Sequence, residues 1–455
     1  MSALSAAADR AGAWSPELYR PGRPGVTAGE LSLALAGLTL VAALLMGSHV
    51  LHGGLYTDDW PIAAVYHFHG AGEVTRVIFL GDHSRPLAAV YLGLVHGISA
   101  GSTHVQAGIG LALHVLACWA ILWLLRVLGF GRLVAAALAL LLLLYPFADS
   151  TWLWLAINQS RLSLLLGALG LLALVHALQS AGARRVVAQA GAALLVATSV
   201  LSYETAVAVL VVAAVAISFR YARGRVALIG ALPTVLAVVL AAAVPRLPGL
   251  LPGVEPHQSI GLGAQIKHAE KIASQSMTVL ANSAVPFGAA HRNVVIPILG
   301  LIVIVSLVGW RRALAGPGPG PTLRYGLLWV AAGLVVLALA YVVFINTTPG
   351  FYEPAAPGSE NRINAVAAIG YCAIVIGVAM LVSALMSWTW RPRAAPVVWL
   401  VLALVVAIGY AQRIRRDVRA WDRATAIQHA ELAELSRALP RPAPGRRSTP
   451  SGASA

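Results

Sequence analysis

Two adjacent carboxylates, Asp58 and Asp59, stand in the run Tyr56-Thr57-Asp58-Asp59-Trp60-Pro61, directly after the first long apolar stretch of a 455-residue chain. Like charges side by side at a membrane boundary raise one of the two pKa values. A carboxylate lifted toward neutrality is suited to act as a general base. The same oxygens could hold a divalent cation such as Mg or Mn. The plainer alternative is a solvated turn anchored at the interface by Trp60.

Four further constellations carry groups that bind or react. Gly81-Asp82-His83-Ser84-Arg85-Pro86 offers His83 and Arg85, whose guanidinium can grip a lipid phosphate bidentately. His67, His69 and His83 suggest a metal, but no second cluster repeats the His67-x-His69 spacing, so no dedicated transition-metal site is expected. The run from Tyr145 through Asp149 and Trp152 to Trp154, followed by Asn158 and Gln159, combines aromatic faces with amides and a carboxylate. That mixture suits a sugar-binding surface as well as an aromatic belt. Glu204, in the polar turn Ser202-Tyr203-Glu204, is costly at a membrane boundary and should face a polar interior, with Arg161 as one conceivable partner. Finally, the Pro- and Gly-rich stretch 346–364 presents Tyr352, Glu353, Asn361 and Arg362; Arg362 is the second candidate for a lipid phosphate.

The elements that must position these groups are membrane helices. Apolar residues make up 59% of the chain and charged ones only 11%, which excludes an ordinary soluble domain. The net charge of +15 would suggest nucleic acid in a soluble protein. Here the cations crowd short loops between apolar runs, the positive-inside pattern, so no nucleic-acid partner is expected. The two cysteines, Cys118 and Cys372, lie in apolar runs and imply neither disulfide nor metal site.

Apolar windows predict about eleven spans, at 31–51, 105–125, 133–147, 162–182, 186–201, 205–219, 226–244, 294–310, 325–345, 365–387 and 395–411. The stretch 86–100 is too short, and the five basic loops alternate correctly only if it does not cross, so it reads as a re-entrant or membrane-surface helix. The N-terminus is then cytoplasmic, and the acidic pair, Arg85, Asp149, Glu204 and Arg362 share the extracytoplasmic side with the C-terminus. The chain divides into a cytoplasmic tail (1–28), a helical module (29–220) with outer loop 52–104, a second module (221–411) with outer loops 245–293 and 346–364, and an outer helix with a disordered tail (412–455). Within 245–293, residues 261–282 read as a membrane-surface helix.

The order of these features carries a resemblance. A first helix, an outer loop with Asp-Asp-Trp, a closing Arg-Pro and an outer Tyr-Pro…Asp…Trp segment together resemble membrane glycosyltransferases of the GT-C superfamily, over roughly residues 31–220. The Arg-over-Lys and Ala/Val/Gly bias looks like that of a GC-rich bacterial genome, and the resemblance is to actinobacterial members of the superfamily. The resemblance implies an all-α membrane fold and a polyprenyl-phosphate-linked sugar as donor. It also implies inverting transfer to a glycan, lipid or protein acceptor of the cell envelope, on the outer face of the cell membrane. Asp58 or Asp59 matches the acidic motif and takes the base role. Asp149 falls where some members have a further acidic residue, but stands alone. Arg85 and Arg362 are assigned to the donor phosphate from their chemistry; Trp60, His83, Asp149, Trp152, Asn158, Gln159, Glu204 and Tyr352 are assigned to substrate.

Two rivals compete. A transporter or lipid flippase predicts broken helices with polar groups at mid-depth. An O-antigen-type polysaccharide polymerase or ligase would draw on arginines and a histidine in a large outer loop, which His257, His268, His291 and Arg292 could supply.

Overall fold

The structure, a computed structural model, describes residues 26–246, 261–288, 291–313, 320–347, 352–355, 359–389 and 395–438. Among these there is no strand. Among the described residues, nine helices are long and apolar enough to cross a membrane: Ala28–His52, Thr103–Val127, Leu155–Gln179, Gly182–Ser202, Glu204–Tyr221, Gly224–Ala243, Leu323–Val342, Asn361–Met386 and Val397–Ala438. The expected tails at 1–25 and 439–455, and His257, lie outside the described residues.

The first helix, α1 (Ala28–His52), is followed by three short ones, α2 (Asp59–His69), α3 (Ala71–Gly81) and α4 (Pro86–Ser99). The stretch expected as an outer loop is therefore helical. Next come α5 (Thr103–Val127) and α6 (Arg132–Leu143). Glu30 at the start of α1 pairs with Arg126 and Arg132, which puts the α5–α6 turn at that end of the bundle. At the opposite end, His104 Nδ1 lies 3.0 Å from the Val50 carbonyl oxygen, and Gln106 donates to Ser99 Oγ at 3.1 Å. Arg85, preceding α4, is tied to Glu204 at this same end. Both ends of α4 thus lie on this side of the bundle, in the arrangement of a helix that does not traverse it.

Two expected spans are shorter than the sequence suggests. The window 133–147 is helical only over the 12 residues of α6, about 18 Å against a hydrocarbon core of about 30 Å. Pro146, which lacks an N–H, starts a one-turn 3-10 helix in its place. The chain then runs through α7 (Ser150–Leu153) and a second 3-10 turn, Leu155–Ile157, before α8 (Gln159–Gln179). Every residue from 141 to 161 is buried. Irregular backbone of this kind persists beside a membrane only where protein encloses it. The window 294–310 falls within a 22-residue helix whose described apolar part, Arg292–Val308, is likewise short.

The remaining helices are α9 (Gly182–Ser202), α10 (Val207–Tyr221), α11 (Gly224–Ala243), α12 (Leu262–Ala284), α13 (Arg292–Ala313), α14 (Gly320–Val342), α15 (Asn364–Thr389) and α16 (Ala395–Ala438). Helices α14 and α15 approach so closely that a Cβ on Gly333 would meet the Gly370 carbonyl oxygen at 2.7 Å. Small residues permit such contact where apolar surface gains nothing from leaving lipid. Helix α12 departs from the membrane-surface reading. Its second half enters the bundle, where Tyr371 and Tyr410 donate to the Ser276 and Ser283 carbonyls at 3.2 and 2.8 Å. Helix α16 is 44 residues, about 66 Å, so it outruns the hydrocarbon core by more than twofold. Past residue 411 it does not trail free: Ile414, Val418 and Thr425 stay buried along one face.

Candidate functional site

The acidic pair divides into two roles by burial. Asp59 begins α2 and is 3% exposed. Its Oδ2 accepts the Tyr56 N–H at 3.0 Å and its Oδ1 the Ala156 N–H at 2.7 Å. Burial outweighs these donors and pushes its carboxyl up to about 7. Asp58 is exposed, and no hydrogen bond or ion pair among the described residues engages its carboxylate. The turn just before the pair is strained: Thr57 has φ +36°, a left-handed conformation that costs a β-branched residue about 1–3 kcal/mol. The fold holds it there by anchoring Tyr56, whose hydroxyl donates to the Trp421 carbonyl at 2.7 Å and meets Thr425 Oγ1 at 2.7 Å. A Cβ on Gly54 would collide with the Thr425 methyl at 2.5 Å, so the extension of α16 is pressed onto this loop. Nearby, buried His49 bridges Asp422 (3.1 Å) and the Leu153 carbonyl (2.9 Å).

The two arginines also differ. Arg85 forms a fork with Glu204, at 2.7 Å from Nε to Oε2 and 2.9 Å from Nη2 to Oε1, and lies 4.5 Å over the Tyr203 ring. Burial opposes its charge, yet the Glu204 carboxylate more than compensates and holds its pKa still higher. The Arg161 partner conceived for Glu204 is thus replaced by Arg85. Arg161 instead donates from Nη2 to the Ala148 carbonyl at 2.9 Å. Arg362 is half-buried and meets no carboxylate among the described residues. Its guanidinium lies 5.2 Å from the Trp154 ring and 6.0 Å from the Tyr352 ring, two faces that leave its N–H edge for an anion. Trp154 lies two residues before Ala156, whose N–H Asp59 binds. Asp59 and Arg362 therefore hold one short segment in common.

The aromatic and amide surface expected at 149–159 is not a surface. Trp152, 1% exposed, is packed between His114 (5.9 Å, stacked) and His49 (6.1 Å, edge-on). Asn158 is buried against Gly110, where any Cβ would strike its amide, and Gln159 is buried as well. Asp149 does not stand alone: Asn361 Nδ2 donates to its Oδ1 at 2.5 Å, and Asn361 Oδ1 accepts the Ser150 hydroxyl at 2.6 Å. Burial, with Asp417 nearby, pushes its carboxyl up. These four side chains are enclosed because the Tyr-Pro break turns the segment inward instead of across the surface. Trp60 (36% exposed) and Tyr352 (half-buried) stay at the rim, and His83 is half-buried with Nε2 unpartnered.

Sequence reasoning passed over Trp421 and Thr425, gave Thr57 no role, and named Asn361 without its partner Asp149. Thr425 offered no signal. Among the described residues no three His, Cys, Asp or Glu side chains converge to hold a metal ion. With both Asp59 oxygens committed to N–H groups, the acidic pair offers a cation one free carboxylate, which does not fit Mg or Mn. What the arrangement can do is place a solvent-facing carboxylate, and a guanidinium with no carboxylate partner among the described residues, at one end of a bundle.

The fold thus defines an all-helical, multi-pass membrane protein with a polar site at one end of the bundle. No family model matches the chain, no curated protein matches its sequence, and no solved structure matches its fold.

Proposed function

We propose that the chain is a membrane glycosyltransferase of GT-C type. It moves a sugar from a polyprenyl-phosphate donor to a cell-envelope acceptor, at the extracytoplasmic face of the cell membrane. The observation that carries this reading is the division of the acidic pair: Asp59 is held by two backbone N–H groups, and a strained turn holds Asp58 outward with no partner among the described residues. Asp58 takes the proton from the acceptor hydroxyl as its oxygen bonds to the anomeric carbon from the face opposite the phosphate. The bond from that carbon to the phosphate oxygen breaks, and the leaving phosphate keeps the electron pair. Arg362 meets its charge. Arg85, already neutralised by Glu204, shapes the wall of the site.

The test is transfer from a panel of radiolabelled polyprenyl-phosphate sugars by the chain in lipid nanodiscs. The wild type transfers from at least one donor, and Asp58→Asn loses about 100-fold or more. Full transfer by both Asp58→Asn and Asp59→Asn overturns the assignment.

One observation favours a transporter as the second reading. The break at 144–158 lies within the bundle, and Trp152 Nε1, Asn158 Oδ1, Gln159 Oε1 and Arg161 Nε around it are buried without partners. Movement of the lipid-linked sugar across sealed vesicles without transfer, unaltered by Asp58→Asn, would establish that reading instead.

A further inference from the structure

Helix α12 carries a buried histidine that nothing in the proposed reaction uses. Gln265, His268, Lys271 and Gln275 recur at helical spacing along one side of the helix. Three of them contact the chain opposite: Gln265 Nε2 donates to Asn346 Oδ1 at 3.0 Å, Lys271 Nζ pairs with Glu353 Oε1 at 2.7 Å, and Gln275 Nε2 donates to Glu353 Oε2 at 2.9 Å. His268 sits between these contacts, 2% exposed, with neither ring nitrogen hydrogen-bonded; the Gln275 Oε1 is buried without a partner as well.

A neutral imidazole has one donor and one acceptor, and the free amide oxygen adds a second acceptor. Buried groups of this kind are normally satisfied, so an unpaired set of one donor and two acceptors describes its missing complement. An anion does not fit two acceptors, and the Lys271 ammonium on this side of the helix is already paired with Glu353. A cation lacks the acceptor that the imidazole N–H needs. Hydroxyl groups fit, because each both donates and accepts. Glu353 follows Tyr352, whose ring faces Arg362, so the set adjoins the place given above to the donor phosphate.

We propose that His268 and Gln275 form a subsite for sugar hydroxyls, with Glu353 fixing the Gln275 amide so that its oxygen faces the ligand. Its place in catalysis rests on the glycosyltransferase reading, but its existence as a binding site does not. The sugar can belong to the donor or to the acceptor.

The experiment is saturation-transfer NMR on the full chain in nanodiscs, with two kinds of probe. One is a panel of methyl glycosides, which lack phosphate; the other is a short-chain polyprenyl-phosphate sugar. Saturation of sugar protons is expected for at least one probe, and which kind responds identifies the source. His268→Phe and Gln275→Leu reduce that signal at least fivefold. His268→Asn, which keeps a donor near the Nδ1 position, retains half or more, and the exposed His429→Phe on α16 changes nothing. If His268→Phe fails to fold, Gln275→Leu and His268→Asn carry the comparison. No sugar-proton signal with the folded wild type, as when a buried water satisfies these atoms, overturns the proposal; so does a signal that Gln275→Leu leaves intact. Methyl-glycoside binding with no transfer from any donor would sink the glycosyltransferase reading and leave the subsite standing.

Discussion

The Asp59 carboxylate accepts the Ala156 backbone N–H at 2.7 Å, tying the start of α2 to a segment 97 residues further along the chain. This bond gives the two aspartates opposite expectations. Asp59→Asn turns an NH2 group toward N–H donors and lowers stability by about 2–4 kcal/mol. Asp58→Asn, on an exposed side chain, changes stability by no more than about 0.5 kcal/mol. Denaturant midpoints in detergent micelles separate the two; equal losses would sink the division of roles.

The pH dependence follows from the same burial. The Asp59 carboxyl lies at about 7 in the fold, above its ordinary 3.8. A raised folded value means that its contribution is fully present below about 3.8 and is lost as pH climbs through about 7. Thermal stability should therefore fall between about pH 4 and pH 7 and level off above, and Asp59→Asn should flatten that slope. A slope of opposite sign in the wild type, removed by the same substitution, would contradict the assignment.

Arg85 and Glu204 are 119 residues apart and bound at two points. Removing one partner takes the forked bond from the other charge in a partly enclosed place; without Glu204, Arg85 keeps only the longer carboxylate contact to Asp82 at 3.5 Å. Arg85→Met and Glu204→Met should each cost about 2–4 kcal/mol, and the double variant less than either single one. A double-mutant cycle measures this coupling, and additive losses would show that the pair stabilises nothing.

Much of the helical frame is legible in the sequence because lipid demands whole apolar windows, which need no partner to be recognised. Asp58-Asp59 is legible for the same reason: its position after α1 is local. The pairs that build the site are not. Asn361 reaches Asp149 across 212 residues and Tyr56 reaches Thr425 across 369, and such contacts leave no periodic trace in either partner's neighbourhood. The segment 146–158 misleads for a different reason. Pro, Asp and Trp mark a loop at a membrane surface, but the same residues also mark a break enclosed by neighbouring helices, and only packing separates the two.

Arg362 predicts a separation of kinetic effects. If it meets the donor phosphate, Arg362→Ala should lower kcat/KM for the lipid-phosphate donor by about 10- to 100-fold while leaving the KM of the acceptor nearly unchanged. Arg362→Lys keeps the charge but loses the planar face that lies over Trp154 and Tyr352, so it should restore only part of the loss. An equal rise in both KM values would move Arg362 from the donor to the wall.

The extension of α16 gives the last test. Tyr56 bonds to Trp421 and Thr425, and His49 to Asp422, so the acidic turn is held from below by a helix that begins more than 300 residues later in the sequence. A left-handed Thr57 is stable only while such contacts over-determine it. Ending the chain after residue 411 keeps the apolar part of α16 and removes those contacts. The truncated protein should still insert, with the turn relaxing and Asp58 losing its fixed direction. Transfer should fall by about 100-fold, as for a misplaced catalytic group. Thr57→Gly, which relieves strain without removing the brace, should keep the chain as stable as the wild type and cost far less activity. Full activity in the truncated chain would show that the brace is dispensable and that the turn is fixed by Asp59 alone.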